Sequence, residues 1–123
     1  MATVELTKDN FEQTVSGDGI TLVDFWAAWC GPCRMFGPVY DRVSARHTDV
    51  VFGKVDTEAQ PELAGAFQIS SIPTLMIARD GIVVYSEAGA LPEPALEELI
   101  AKARELDMDE VRRQIAQEQG AKA

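Results

Sequence analysis

The chain is poor in the residues that build metal centres and covalent scaffolds. Of its 123 residues, only two are cysteine and one is histidine. Cys30 and Cys33 lie so close together that joining them closes a tiny loop and adds little scaffold stability. With His47, read as a surface residue near the end of a helix, they leave a tetrahedral zinc site one ligand short, and no metal is expected. Positive charge is also scarce. The formal net charge is −9, which disfavours an electrostatic grip on nucleic acid or an anionic membrane. The apolar runs are strand-sized, too short to span a bilayer. Met1-Ala-Thr-Val-Glu-Leu6 lacks the basic and apolar regions of an export signal. A cytoplasmic, reducing setting is therefore expected, and there a close cysteine pair more often does chemistry than stapling. No glycine-rich nucleotide motif occurs, so any hydride chemistry belongs to a separate protein.

What is present suits one soluble domain with its own core, since 46% of residues are hydrophobic and 25% charged. Thr3 to Leu6 reads as a short strand, followed by a helix that turns Phe11 and Val15 inward and ends near Gly17-Asp18-Gly19. Ile20 to Trp26 is nearly all apolar, as in a strand covered on both faces. Phe36, Val39, Tyr40 and Val43 recur at helical spacing, with Pro38 expected to kink that helix. Val50 to Val55 is a third strand, and a short helix through Leu63, Ala64 and Phe67 follows. Thr74 to Arg79 and Ile82 to Glu87 form a hairpin around Asp80-Gly81. A helix beginning after Pro92 or Pro94 buries Leu96, Leu99, Ile100 and Ala103. This order predicts an α/β fold: a sheet between helices, parallel in its first half and antiparallel in its second.

The chemistry concentrates at Trp29-Cys30-Gly31-Pro32-Cys33, where the second strand hands over to a helix. Two thiols at that spacing can close and reopen, carrying two electrons, and the first-turn N–H groups favour thiolate on Cys30. An inert disulfide or two unrelated core thiols are the blander readings. Asp24 is the one acid on an otherwise apolar strand. Burial there raises its pKa and suits it to exchange protons near neutrality; a merely hydrogen-bonded strand aspartate is the alternative.

Asp24-Phe25-Trp26, Trp29-Cys30-Gly31-Pro32-Cys33-Arg34, Pro38, Lys54-Val55-Asp56, Ile72-Pro73-Thr74 and Gly89-Ala90-Leu91 together resemble the thioredoxin family, in order and spacing. The resemblance implies the thioredoxin fold, a central five-stranded mixed sheet flanked by four helices. It implies a protein-disulfide reductase with Cys30 as nucleophile and a more buried Cys33 as resolving thiol. Asp24 would be the general base beneath Cys33 and Lys54 the modulator of that acid, although Lys54 reads equally well as a strand-end lysine. Gly31 and Pro32 would tune the couple toward strong reduction. Trp29, Ile72, a cis Pro73, Ala88 and Gly89 would form the docking surface for a client segment, with a plain turn the other reading of Gly89. No cofactor would be bound; electrons would come from NADPH through a separate thioredoxin reductase. The clients would be disulfide-containing proteins such as peroxiredoxins, ribonucleotide reductase or methionine sulfoxide reductase, and the chain would be a monomer. Ala28, Arg34 and Ser70-Ser71 depart from the frequent family residues.

Residues 1–106 would form the thioredoxin domain and 107–123 a C-terminal helical extension. Asp107-Met-Asp-Glu110 looks like a helix start, with Met108, Val111 and Ile115 at helical spacing and fraying expected by Gly120. The extension packs on its own domain or docks a partner. Against the reductase stand two other readings, a binding module that uses only the fold and an oxidase or isomerase.

Overall fold

The computed structural model describes residues 2–122. Its elements are β1 (Thr3–Glu5), α1 (Phe11–Val15), β2 (Ile20–Trp26), α2 (Gly31–Ser44), β3 (Val51–Asp56), α3 (Pro61–Ala66), β4 (Thr74–Arg79), β5 (Ile82–Ala88), α4 (Glu93–Glu105) and α5 (Met108–Lys122). The five strands form one sheet in the order β1-β3-β2-β4-β5. β3 runs parallel to both β1 and β2, while β4 is antiparallel to β2 and β5. The change of direction follows from the connections. A helix carries the chain from β2 back to β3, whereas the two-residue turn at Asp80-Gly81 allows only an antiparallel return. Both turn residues have positive φ, 52° and 80°, as a tight hairpin of this length requires.

Alternation along β2 divides the core. Leu22 points to the side packed by Phe36, Tyr40, Leu96 and Ile100 of α2 and α4. Val23 and Phe25 point to the other side, with Phe11 and Val15 of α1 and Leu63 against them. With helices on both faces, β2 has no solvent side, and every residue from Ile20 to Phe25 is buried. Gly53 in β3 is needed for a close approach: a Cβ there would collide with the Leu6 side chain.

Two expectations give way at the periphery. His47 is not an ordinary surface residue. Only 19% of its side chain is exposed; its Nε2 lies 2.5 Å from Glu97 and its Nδ1 3.0 Å from Arg104. The turn after α2 packs against α4, and the imidazole fills that seam. α5 does not fray at Gly120 but runs to Lys122, because one glycine costs a helix only about 1 kcal/mol and does not by itself end it. The Asp107 carboxylate accepts the Asp109 and Glu110 amides at 3.1 and 3.2 Å, which satisfies orphan donors of the first turn. Met108 is buried, Val111 and Ile115 are half-buried, and Arg112 pairs with Asp80 of the hairpin at 3.6 Å. The extension thus lies on its own domain.

Candidate active site

The site forms where β2 runs out. Chain leaving Trp26 turns through Ala27 and Ala28, and Cys30 becomes the N-cap of α2 with extended backbone (φ −86°, ψ 115°). Pro32 follows in the first turn, where its missing N–H is no loss and its fixed φ suits a helix. Cys30 and Cys33 are joined as a disulfide, with Cα atoms 5.2 Å apart. Cys33 N–H donates to Cys30 Sγ at 3.2 Å. The sulfur therefore occupies the place that a capping oxygen takes elsewhere, at the positive end of the helix dipole, where negative charge is favoured.

Both cysteines are 4% exposed. The expected contrast, with Cys33 the more buried, is absent because Ile72 packs over the pair together with Trp26 and Ala27. What distinguishes the sulfurs is their surroundings. Cys30 Sγ has the Ile72 carbonyl oxygen 3.6 Å away as well as the Cys33 amide. The Ile72–Pro73 peptide is cis. Thr74 Oγ1 donates to the Ser71 carbonyl at 2.5 Å and braces this loop from behind. Gly89, at φ 118°, donates its N–H to the Pro73 carbonyl at 2.8 Å, which sets the end of β5 beside the proline. Glycine is required there because other residues strain at that φ. Ala88 and Gly89 are exposed, and so is Trp29, at 66%. The indole is not loose, since its Nε1 donates to Glu58 Oε1 at 2.5 Å. Trp26, by contrast, is half-buried, with Lys54 Nζ 5.0 Å from its ring centroid.

Asp24 lies in the middle of β2, 1% exposed, on the side covered by α2. Among the described residues, no hydrogen-bonding group reaches either carboxylate oxygen. Burial pushes its pKa from 3.8 to about 7; the Lys54 ammonium opposes the rise and Asp41 adds to it. Register places Lys54 directly beside Asp24 on β3. The structure thus gathers Cys30, Cys33, Trp26 and Ile72 in one cluster, rims it with Trp29, Ala88 and Gly89, and buries Asp24 in the sheet behind α2. Sequence reasoning missed Glu58 and the Thr74 brace. Neither leaves a signal in the sequence, because both depend on how separate loops meet.

The Thioredoxin family model matches residues 2–102. The chain belongs to the thioredoxin family. A relative from Streptomyces coelicolor designated thioredoxin 2 is 62% identical over 118 residues, which covers 96% of this chain and 88% of that protein. The thioredoxin of Alicyclobacillus acidocaldarius is 45% identical over 101 residues, 81% of this chain and 96% of its own length. The solved thioredoxin of Malassezia sympodialis superposes with a TM-score of 0.74 at 33% identity, covering 82% of this chain and 90% of that one. The fold is the thioredoxin fold, and the chain is a dithiol–disulfide oxidoreductase whose redox-active pair is Cys30 and Cys33. The family match ends before α5, yet the Streptomyces alignment leaves at most five residues unpaired and therefore includes most of that helix.

Proposed function

We propose that Cys30 opens disulfides in client proteins and Cys33 closes the cycle. The Cys30 thiolate attacks one sulfur of the client disulfide, and the client's other sulfur leaves as thiolate. Asp24, as general base, accepts the Cys33 proton. Cys33 then attacks Cys30 in the mixed disulfide, the second client sulfur departs, and the chain is left oxidised by two electrons. Lys54 modulates the acidity of Asp24, and Gly31 and Pro32 tune the couple toward reduction. Trp29, Ile72, Pro73, Ala88 and Gly89 receive an extended client segment, in the manner of strand addition.

The observation that carries this reading is Cys30 Sγ at the start of α2, accepting the Cys33 amide at 3.2 Å. A carboxyl with a pKa of about 7 on the α2 side of the sheet supports the proton transfer. Reducing equivalents come from NADPH through a separate thioredoxin reductase. The clients belong to the classes reduced by thioredoxins, among them peroxiredoxins, ribonucleotide reductase and methionine sulfoxide reductase, in the cytoplasm, with the chain as a monomer. Residues 1–106 suffice for the chemistry and 107–123 are an extension.

Insulin reduction with NADPH and thioredoxin reductase tests the assignment. The wild-type chain precipitates the insulin B chain, Cys30→Ser does not, and Cys33→Ser accumulates mixed disulfides. Activity retained in Cys30→Ser would sink the mechanism.

A further inference from the structure

Tyr40 is a polar group fully inside the protein with no part in the exchange steps above. It is 0% exposed, and its hydroxyl donates to the Gly53 carbonyl at 2.8 Å. It stands seven residues after Cys33 in α2, so two helical turns place both residues on the face that presses on the sheet, with Phe36 between them. Gly53 immediately precedes Lys54, and the β2–β3 register sets Val23 beside Gly53 and Asp24 beside Lys54. The hydroxyl therefore ties α2 to the stretch of β3 that presents Lys54 to Asp24.

The charges that act on Asp24 come from two elements: β3 brings Lys54 and α2 brings Asp41. Tyr40 of α2 feels the Asp24 charge in turn, and β4 sets the uncharged Leu75 opposite. Burial, with the charges of Asp24 and Asp41, raises the Tyr40 pKa well above the ordinary phenol value. Tyr40 thus stays a neutral donor while Asp24 titrates, and never competes with it as a base. Asp24 itself has both oxygens buried without a hydrogen-bond partner among the described residues. No direct contact holds that carboxyl's proton, so burial raises its pKa and the opposing Lys54 charge limits how far it rises.

We propose that Tyr40 is a positioning residue for proton transfer at Asp24: its hydroxyl pins the Gly53–Lys54 backbone, and with it the place from which the Lys54 ammonium acts on the carboxyl. The inference deepens the reductase reading and rests on Asp24 being the base there. In Tyr40→Phe the ring keeps its packing against Phe36 and Phe52, whose centroids lie 5.6 and 5.2 Å away. Only the pin is lost. The Gly53–Lys54 segment relaxes, the ammonium acts less strongly, and the carboxyl holds its proton to higher pH.

The full-length chain is tested in four forms: wild type, Tyr40→Phe, Lys54→Met and the double variant. The Asp24 carboxyl is titrated by carbon NMR, and the pH profile of disulfide exchange is recorded beside it. The lost hydrogen bond predicts an upward displacement of the Asp24 titration by ~0.5–1 pH unit in Tyr40→Phe. In the Lys54→Met background the same change adds nothing, because the residue being positioned is gone. An unmoved titration in Tyr40→Phe, with only melting temperature lowered, overturns the proposal and leaves Tyr40 a packing residue. A displacement that persists in full without Lys54 overturns it too. Asp24→Asn separates the two readings. If its exchange profile matches wild type, the general-base assignment fails on its own, while the carboxyl titrations still decide what Tyr40 does.

Discussion

Asp24 and Lys54 are neighbours in register across β2 and β3, yet they form no ion pair, and the lysine ammonium lies 5.0 Å from the Trp26 ring centroid. The lysine therefore acts on the acid through space. A direct salt bridge would hold the carboxylate ionised through the neutral range. Burial wins instead, and the pKa rises to about 7.

Removing the lysine charge carries that rise further. In Lys54→Met the opposing field is lost, so Asp24 titrates above its wild-type value. The pH at which exchange reaches half its maximal rate moves up with it. A profile that stays in place or moves down would show that the lysine's charge does not reach the acid.

The same acid makes stability depend on pH. Its folded pKa, about 7, lies above the ordinary 3.8, so the folded state holds a proton that the unfolded state releases between those values. Stability is therefore highest below pH ~4, as far as this group is concerned, and falls as pH climbs to 7. The gap of roughly three units corresponds to a cost on the order of 4 kcal/mol above pH 7. Asp24→Asn should stabilise the chain at pH 8 and lose that advantage near pH 4. Urea unfolding at the two pH values measures it.

Glu58 holds the exposed indole of Trp29, and its removal separates docking from chemistry. In Glu58→Ala, KM for a protein disulfide rises several-fold, while the rate with a small aromatic disulfide stays near wild type. Equal losses with both substrates would mean that the contact serves the cysteines themselves.

Asp107 is the cap of α5, and a lost cap costs about 1 kcal/mol. In Asp107→Ala the amides of Asp109 and Glu110 exchange faster with solvent, and insulin reduction is unchanged. Loss of reductase activity in this variant would tie the extension to the active site.

Much of this arrangement was legible in the sequence for physical reasons. The apolar run from Ile20 to Phe25 has one explanation, a strand covered on both faces, and a carboxyl within it is buried whichever way it points. Asp80-Gly81 specified the hairpin because two residues between strands leave few conformations. The placement of Lys54 and Gly89 was less legible, since each depends on pairing between strands distant in sequence. Glu58 and His47 lay beyond reach: their partners come from other loops and helices, and no local pattern marks a side chain that will meet one 29 or 50 residues away. Tyr40 did carry a faint sign, a phenol on an apolar helical face, which implies a buried acceptor somewhere opposite.

The near-complete burial of both sulfurs, each cysteine only 4% exposed, has a consequence for traffic. Ile72 packs over the pair, and a giver and a taker of electrons exchange with the same two sulfurs, so they must use them by turns. The carrier works as a ferry with one berth. A tightly held client therefore delays recharging as surely as a missing donor.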